Sequence, residues 1–189
     1  MFADLLREKL RGIVELSPGQ IGALETHYDL LLRWNKTLNL TTITSLAEAV
    51  ERHYCESLFL GVHLPPGSLR IVDVGSGAGF PGFPVAILRS DCMVALVESR
   101  QRKAVFLREA SRKAGNIRVI AKRAEEVEEK FDHLISRAVS YDDLRGSLKR
   151  LAPVADLLTG AEEPPSLGMA WDPAIAIPWG KTRFLRIVR

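Results

Sequence analysis

The chain has 189 residues, 47% of them hydrophobic and 26% charged, a length that fits one domain with an appendage and a composition that excludes the disordered and membrane classes. Its formal net charge of +3 is too small to identify a polyanionic partner, so the placement of the charges has to carry that question. Cys55 and Cys92 lack a C-x-x-C spacing, the four histidines form no H-E-x-x-H, and charges break up MFADLLREKLRGIVEL; we therefore expect no metal, no signal peptide, no membrane partner, and a soluble cytoplasmic protein with reduced thiols.

The first third reads as helix. Ser17-Pro18-Gly19-Gln20 supplies an N-cap hydroxyl, a proline at the first helical position and a glutamine at the third, predicting a helix to about Trp34. KTLNLTTIT then reads as a loop, and Ser45-Leu46-Ala47-Glu48 repeats the start signal for a helix to about Leu60. His63-Leu64-Pro65-Pro66-Gly67 punctuates the chain and divides a helical segment, residues 1–64, from a domain over residues 65–189. From Leu69 onward, short apolar runs (LRIVDV, MVALVE, IRVIA, FDHLIS, ADLLT) alternate with helix-forming stretches at 82–89, 99–114, 124–130 and 141–151. Such alternation predicts an α/β fold with a mostly parallel sheet covered by helices on both faces. The tail departs from it: AIAIPW and TRFLRIVR flank Gly180-Lys181 and read as an antiparallel C-terminal hairpin.

The chemistry concentrates in RIVDVGSGAGFPGFPVAIL. A strand ending on Asp73 runs into Gly75, Gly77 and Gly79 before a helix begins near Gly82, an arrangement that leaves backbone amides bare for a ligand at the carboxyl end of a parallel sheet. Gly77, Gly79 and Gly82 satisfy G-x-G-x-x-G, and Glu98 follows at about the interval of a ribose-binding acid, so a nicotinamide-dependent oxidoreductase is one reading. Asp73 opposes it, because a carboxylate at the strand's lip repels a pyrophosphate and suits a ligand with a cationic centre and an amino group, such as S-adenosylmethionine. Glu98 can then accept from both ribose hydroxyls, or serve as an acid at a helix N-terminus.

The stretch DVGSGAGFPGFPVAIL, followed by LVESRQRKAVFLREA and ISRAV and preceded by LLRWNKTLNLTTI and HYCESL, closely resembles the bacterial small-subunit (16S) ribosomal RNA methyltransferases that modify N7 of a guanine, the glucose-inhibited division protein B type. The resemblance runs from about Tyr28 to Leu158. It implies a Rossmann-like class I methyltransferase fold with a seven-stranded sheet, and S-adenosyl-L-methionine as cofactor. Gly75 and Phe80 match cofactor-contacting positions, Ala124 and Glu125 match the pair that flanks the adenine, and Arg137 matches an arginine lining the cofactor pocket. The chain departs from the family at Thr159-Gly160, where a Lys-Gly pair is expected, at Glu56, where an aspartate is usual, and across the short, proline-broken segment 161–172.

N7 of guanine carries a lone pair and no proton, so methyl transfer there asks for alignment rather than a base, and no catalytic acid or base is assigned. The run after Glu98 carries Arg100, Arg102, Lys103, Arg108 and Arg112 with a single acid, Glu109, among them, which predicts a contact with ribosomal RNA or an assembled small subunit; a solvated face gives the same pattern. We expect a monomer. A third reading is a non-catalytic RNA-binding or assembly module on the same fold.

Overall fold

In the computed structural model, which describes residues 1–189, the start signals act as written. Ser17 Oγ accepts from Gln20 N at 3.2 Å while Gln20 Oε1 accepts from Ser17 N at 2.8 Å, and this reciprocal cap opens α2, Pro18–Leu38, behind a short α1, Phe2–Leu10. The helix runs past Trp34 and stops at Asn39, whose φ of 48° is the left-handed conformation that ends helices. Ser45 caps the next stretch, which is continuous to His63 but not uniform: α3, Leu46–Ala49, passes through a π-helical turn, Val50–Cys55, into α4, Glu56–His63.

Beyond the prolines the chain builds a seven-stranded sheet. Its strands are β1 (Arg70–Val74), β2 (Met93–Val97), β3 (Ile117–Ile120), β4 (His133–Arg137), β5 (Val154–Thr159), β6 (Ile175–Ala176) and β7 (Phe184–Val188), in the spatial order β3-β2-β1-β4-β5-β7-β6. The first five pair in parallel, and β7 runs antiparallel against β5 and β6. β1 and β2 are buried from their second residue on, as strands covered on both faces must be, which is why they read as unbroken apolar runs. α5 (Gly82–Leu88) connects β1 to β2, α6 (Gln101–Ser111) connects β2 to β3, and α7 (Tyr141–Arg145) lies between β4 and β5.

Two expected helices come out shorter. The stretch 124–130 forms only a 3-10 turn, Ala124–Glu126, because Arg150 donates to the carbonyls of Ala124 and Val127, which a longer helix would have used. The stretch 141–151 is helical only to Arg145, ending at Gly146. The tail hairpin is present, with β6 cut to two residues.

The faces of the sheet carry separate cores. On one, Ile71, Leu96, Ile135 and Leu185 meet Phe2, Leu24, Tyr54 and Leu58 in a cluster of 31 buried residues; on the other, Val72, Val97, Leu134 and Val188 join Leu144 and Leu151 in a cluster of 14. The N-terminal helices therefore share one apolar interior with the sheet. No helix is long and apolar enough to cross a membrane.

Candidate active site

The bend after β1 is held from three sides. Gly75 and Ser76 both donate from backbone N–H to Val97 O, at 3.0 and 3.1 Å. Gly77 N donates to Glu98 Oε2 at 3.0 Å, and the other oxygen of Glu98 accepts from Arg100 N at 2.7 Å. From below, His27 on α2 contacts Ala78 O through Nε2 at 3.0 Å and Tyr54 Oη through Nδ1 at 2.8 Å. A carbonyl only accepts, so Nε2 carries the proton and Nδ1 receives the tyrosine's. Burial pushes this histidine down to about 4, and at neutral pH it is an uncharged strut.

Two glycines are required by what surrounds them. At Gly75 φ is +73° and a Cβ would come within 2.6 Å of Val139 Cγ2. At Gly82 a Cβ would meet Leu96 Cδ2 at 2.3 Å and Asp73 Oδ2 at 2.6 Å. Gly82 also opens α5, and its N–H donates to Asp73 Oδ2 at 2.9 Å.

Asp73 thus lies behind the bend, not on its rim. It is 0% exposed, and its second oxygen has no partner. Burial pushes its carboxyl up to about 7 against the lowering effect of the Gly82 bond. The sequence placed this acid at the lip of the strand; the structure makes it the organiser of the loop, with an unspent oxygen beneath it. Because the carboxyl already sits on the first amide of α5, a pyrophosphate finds no anion site there, and the geometry opposes the nicotinamide reading.

Above the bend opens a cavity of about 970 Å³. Gly75, Gly77, Phe80, Lys103 and Arg137 line it, as do Ser76, Ala78 and Val139. Asp73, Gly79, Glu98, Ala124 and Glu125 stand off its wall. Gly79 faces inward, its missing Cβ 3.2 to 3.3 Å from Phe83, His27 and Leu107. Glu98 is buried with each oxygen bonded to an amide, and each keeps a further lone pair. Ala124 and Glu125 form the 3-10 turn after β3.

Phe80 is the hub of the far wall. The His53 ring stacks on it with centroids 4.5 Å apart and planes at 17°, and the Arg137 guanidinium lies 5.1 Å from its centroid. Arg137 donates through Nη1 to Arg52 O in the π turn; burial lowers its pKa to about 10, which leaves it charged. His53, the one histidine on this wall, is 4% exposed and is pushed down to about 3, first by burial and then by the Arg137 and Arg52 charges. Thr41 Oγ1 sits 2.8 Å from its Nε2, and its Nδ1 has no partner. Nothing in the sequence spacing shows that His53 packs at a cavity wall.

Of the basic run, Arg100, Arg102, Arg108 and Arg112 are exposed on or beside α6, and Lys103 turns toward the cavity. None of the five makes an ion pair. Among the wall residues that sequence did not single out as contacts are Arg52, Thr41 and Ser76. Arg183 reaches the cavity from the hairpin and grips Glu56 in a two-bond fork, at 3.0 and 2.8 Å. At the departure point, Thr159 Oγ1 accepts from Arg186 Nε at 3.2 Å, so a guanidinium from the next strand stands beside the position where a lysine was expected.

A family model described as GidB, rRNA small subunit methyltransferase G, matches residues 20–153. A relative from Chromobacterium violaceum called ribosomal RNA small subunit methyltransferase G is 43% identical over 142 residues, covering 73% of this chain and 68% of its own. One of the same name from Xanthomonas euvesicatoria is 46% identical, over 62% of this chain and 55% of its own. The matched part thus spans between about half and two thirds of these relatives' length. Among solved structures, a SAM-dependent methyltransferase from Aquifex aeolicus superposes with a TM-score of 0.58 at 16% identity, over 75% of this chain and 92% of its own. Aeropyrum pernix fibrillarin, solved with natively bound S-adenosyl-L-methionine, superposes with a TM-score of 0.52 at 16% identity, over 70% and 72%. These structural likenesses establish the fold, a class I methyltransferase sheet with its antiparallel hairpin.

Proposed function

The chain belongs to the rRNA small subunit methyltransferase G family, and from that premise we propose that it moves a methyl group from S-adenosyl-L-methionine to N7 of a guanine in small-subunit ribosomal RNA, acting as a monomer. The observation that carries this reading is the cavity itself: a glycine bend whose Cβ positions must stay empty, roofed by a large open space whose single histidine is too weak a base to take a proton at neutral pH.

The residues fit the cofactor. At Gly75 any side chain would collide with Val139, so the backbone is available for close approach. In its ionised form Asp73, one oxygen of which is unpartnered, places negative potential under the bend, where a sulfonium and an α-amino group gain from it and in turn favour that form. Glu98 keeps an acceptor lone pair on each oxygen for ribose hydroxyls while its two amide bonds hold it still. Phe80 offers an apolar face, and Ala124 and Glu125 follow β3 on the side where an adenine would lie. When bound, the cofactor supplies an electrophilic methyl carbon.

The protein's own part is alignment. N7 attacks with a lone pair, no proton has to leave, and the new positive charge stays on the purine until it is released with the product. Fixing the attacking nitrogen in line with the methyl group supplies roughly 7–11 kcal/mol of barrier lowering where the geometry is near-attack. Arg137 contributes donors toward O6 or a carboxylate, and the exposed cations of α6 hold the phosphate backbone.

Incubation of the purified protein with tritiated S-adenosyl-L-methionine and small subunits lacking the modification tests this, with the label mapped to a guanine by borohydride reduction and aniline cleavage. Stoichiometric label at one guanine supports the reading. Cofactor binding without label in any subunit preparation would favour the non-catalytic module, and absence of cofactor binding would end the methyl-transfer reading.

A further inference from the structure

We infer that Arg52 and Arg183, beside Arg137 on the helical side of the cavity, form an anion subsite for the phosphate of the target nucleotide, with Glu56 as the residue that aims Arg183. The inference rests on the proposed methyl transfer and adds the group that would fix the incoming guanosine.

All three arginines line the same cavity, although they come from distant parts of the chain: Arg137 and Arg52 are 85 residues apart, and Arg183 and Glu56 are 127 apart. Like charges do not gather without a reason. Arg137 feels the Glu56 carboxylate first and then, against it, both other guanidiniums; it has no carboxylate within ion-pair distance and bonds only a carbonyl. Arg52 shares an exposed pair with Glu48 at 3.2 Å, a contact worth little in water. Arg183 meets Glu56, whose side chain is 2% exposed; that fork occupies Nε and Nη2 and leaves Nη1 free. The wall therefore carries three guanidiniums against one buried carboxylate, with unspent donors facing open space. Lys103 adds a fourth cation on the glycine side of the cavity.

The acids of the cavity, Asp142, Glu162 and Glu163, are all exposed to solvent. They belong with α7 and the segment after β5, on the side of the second core, whereas Arg52, Arg137 and Phe80 pack on the side of the first. The cavity is thus polarised, acidic toward one side and cationic toward the other. A planar guanidinium with two free edges matches phosphate oxygens. A cofactor carboxylate is also an anion, and Arg137 suffices for it; Arg52 and Arg183 extend the positive wall beyond the reach of one such group. Arg183 lies outside the residues 20–153 matched by the family model, on the hairpin, so this cation is delivered by the fold and not by the motif.

The test compares guanosine with guanosine 5′-monophosphate by calorimetry on the full chain, with inorganic phosphate as competitor, before and after saturation with S-adenosyl-L-methionine. The monophosphate is expected to bind at least about tenfold more tightly than guanosine, and inorganic phosphate to erase the difference. Arg52→Met and Arg183→Met should each reduce the preference several-fold. Because Arg183→Met strands Glu56, the pair Glu56→Gln with Arg183→Met is measured as well, with melting recorded to show that it folds. Equal binding of guanosine and its monophosphate to the unsubstituted protein overturns the inference. So does a loss of S-adenosyl-L-methionine affinity in Arg52→Met and Arg183→Met with the monophosphate preference intact, which would assign the wall to the cofactor carboxylate. Failure of methyl transfer alone leaves the phosphate preference measurable, so the two readings fail separately.

Discussion

Asp73, His27 and His53 are buried with shifted pKa values, and their opposing effects contribute to the acid stability of the protein. Both histidines have depressed values in the folded state, about 4 and about 3, against 6.5; their contribution is complete above 6.5 and is lost as pH falls toward those values. Asp73 is raised from 3.8 to about 7, so its contribution is complete below 3.8 and is lost as pH rises to 7. Between about pH 4.5 and 6 the unfolded chain therefore holds two protons on these groups and the folded chain one. Stability should rise with pH by roughly 1.4 kcal/mol per unit from this set. Replacing His27 by Gln should flatten that slope and replacing Asp73 by Asn should about double it, measured by urea unfolding at three pH values in the absence of cofactor. At Gly82, where a methyl group has no room beside Leu96 and Asp73, substitution by Ala should cost about 1–3 kcal/mol and lower the melting temperature. Asp73, Glu98 and the glycines were legible from sequence as a group; that one oxygen of Asp73 would hold the Gly82 amide was not, because strand alternation gives a face but not a hydrogen-bond partner.

The helices show the same division at the next scale. α6 carries Ala104, Phe106, Leu107 and Ser111 inward and leaves Arg102, Arg108 and Arg112 outside without acids in reach, a split that helical spacing predicts. If those cations meet RNA phosphate, changing Arg108 and Arg112 together to Gln should lower the slope of log affinity against log salt by about 1.4 to 1.8 for small-subunit RNA, while S-adenosyl-L-methionine affinity stays unchanged. The π turn was invisible from sequence. Ser45 and the apolar pattern read as one helix, whereas Val50–Cys55 adopts the wider winding, sends Val50, Tyr54 and Cys55 into the core and brings Arg52 and His53 to the cavity. No residue type marks such a turn; the packing of Tyr54 between Phe2, His27 and Phe80 accompanies it.

Across the whole molecule, the first and last parts of the chain are bound into one unit. Trp179 Nε1 donates to Lys9 O at 3.2 Å, Glu56 grips Arg183, and the larger core includes Phe2 as well as Leu185. Despite the proline break at 65–66, unfolding should therefore be a single transition: far-ultraviolet circular dichroism and tryptophan fluorescence, which draws on Trp34, Trp171 and Trp179, are expected to give coincident midpoints in urea. Separate midpoints would show that the helical segment melts by itself. The sequence by itself determined the strand and helix alternation, the glycine bend, the antiparallel tail and the family, because apolar period, caps and bare backbone are local properties that residue spacing records. Only the tertiary structure decided which acid organises the bend, where the helix winds wide and which arginines share the cavity. The last of these depends on groups 85 and 127 residues apart meeting in space, and such meetings are set by how the cores pack on the two faces of the sheet.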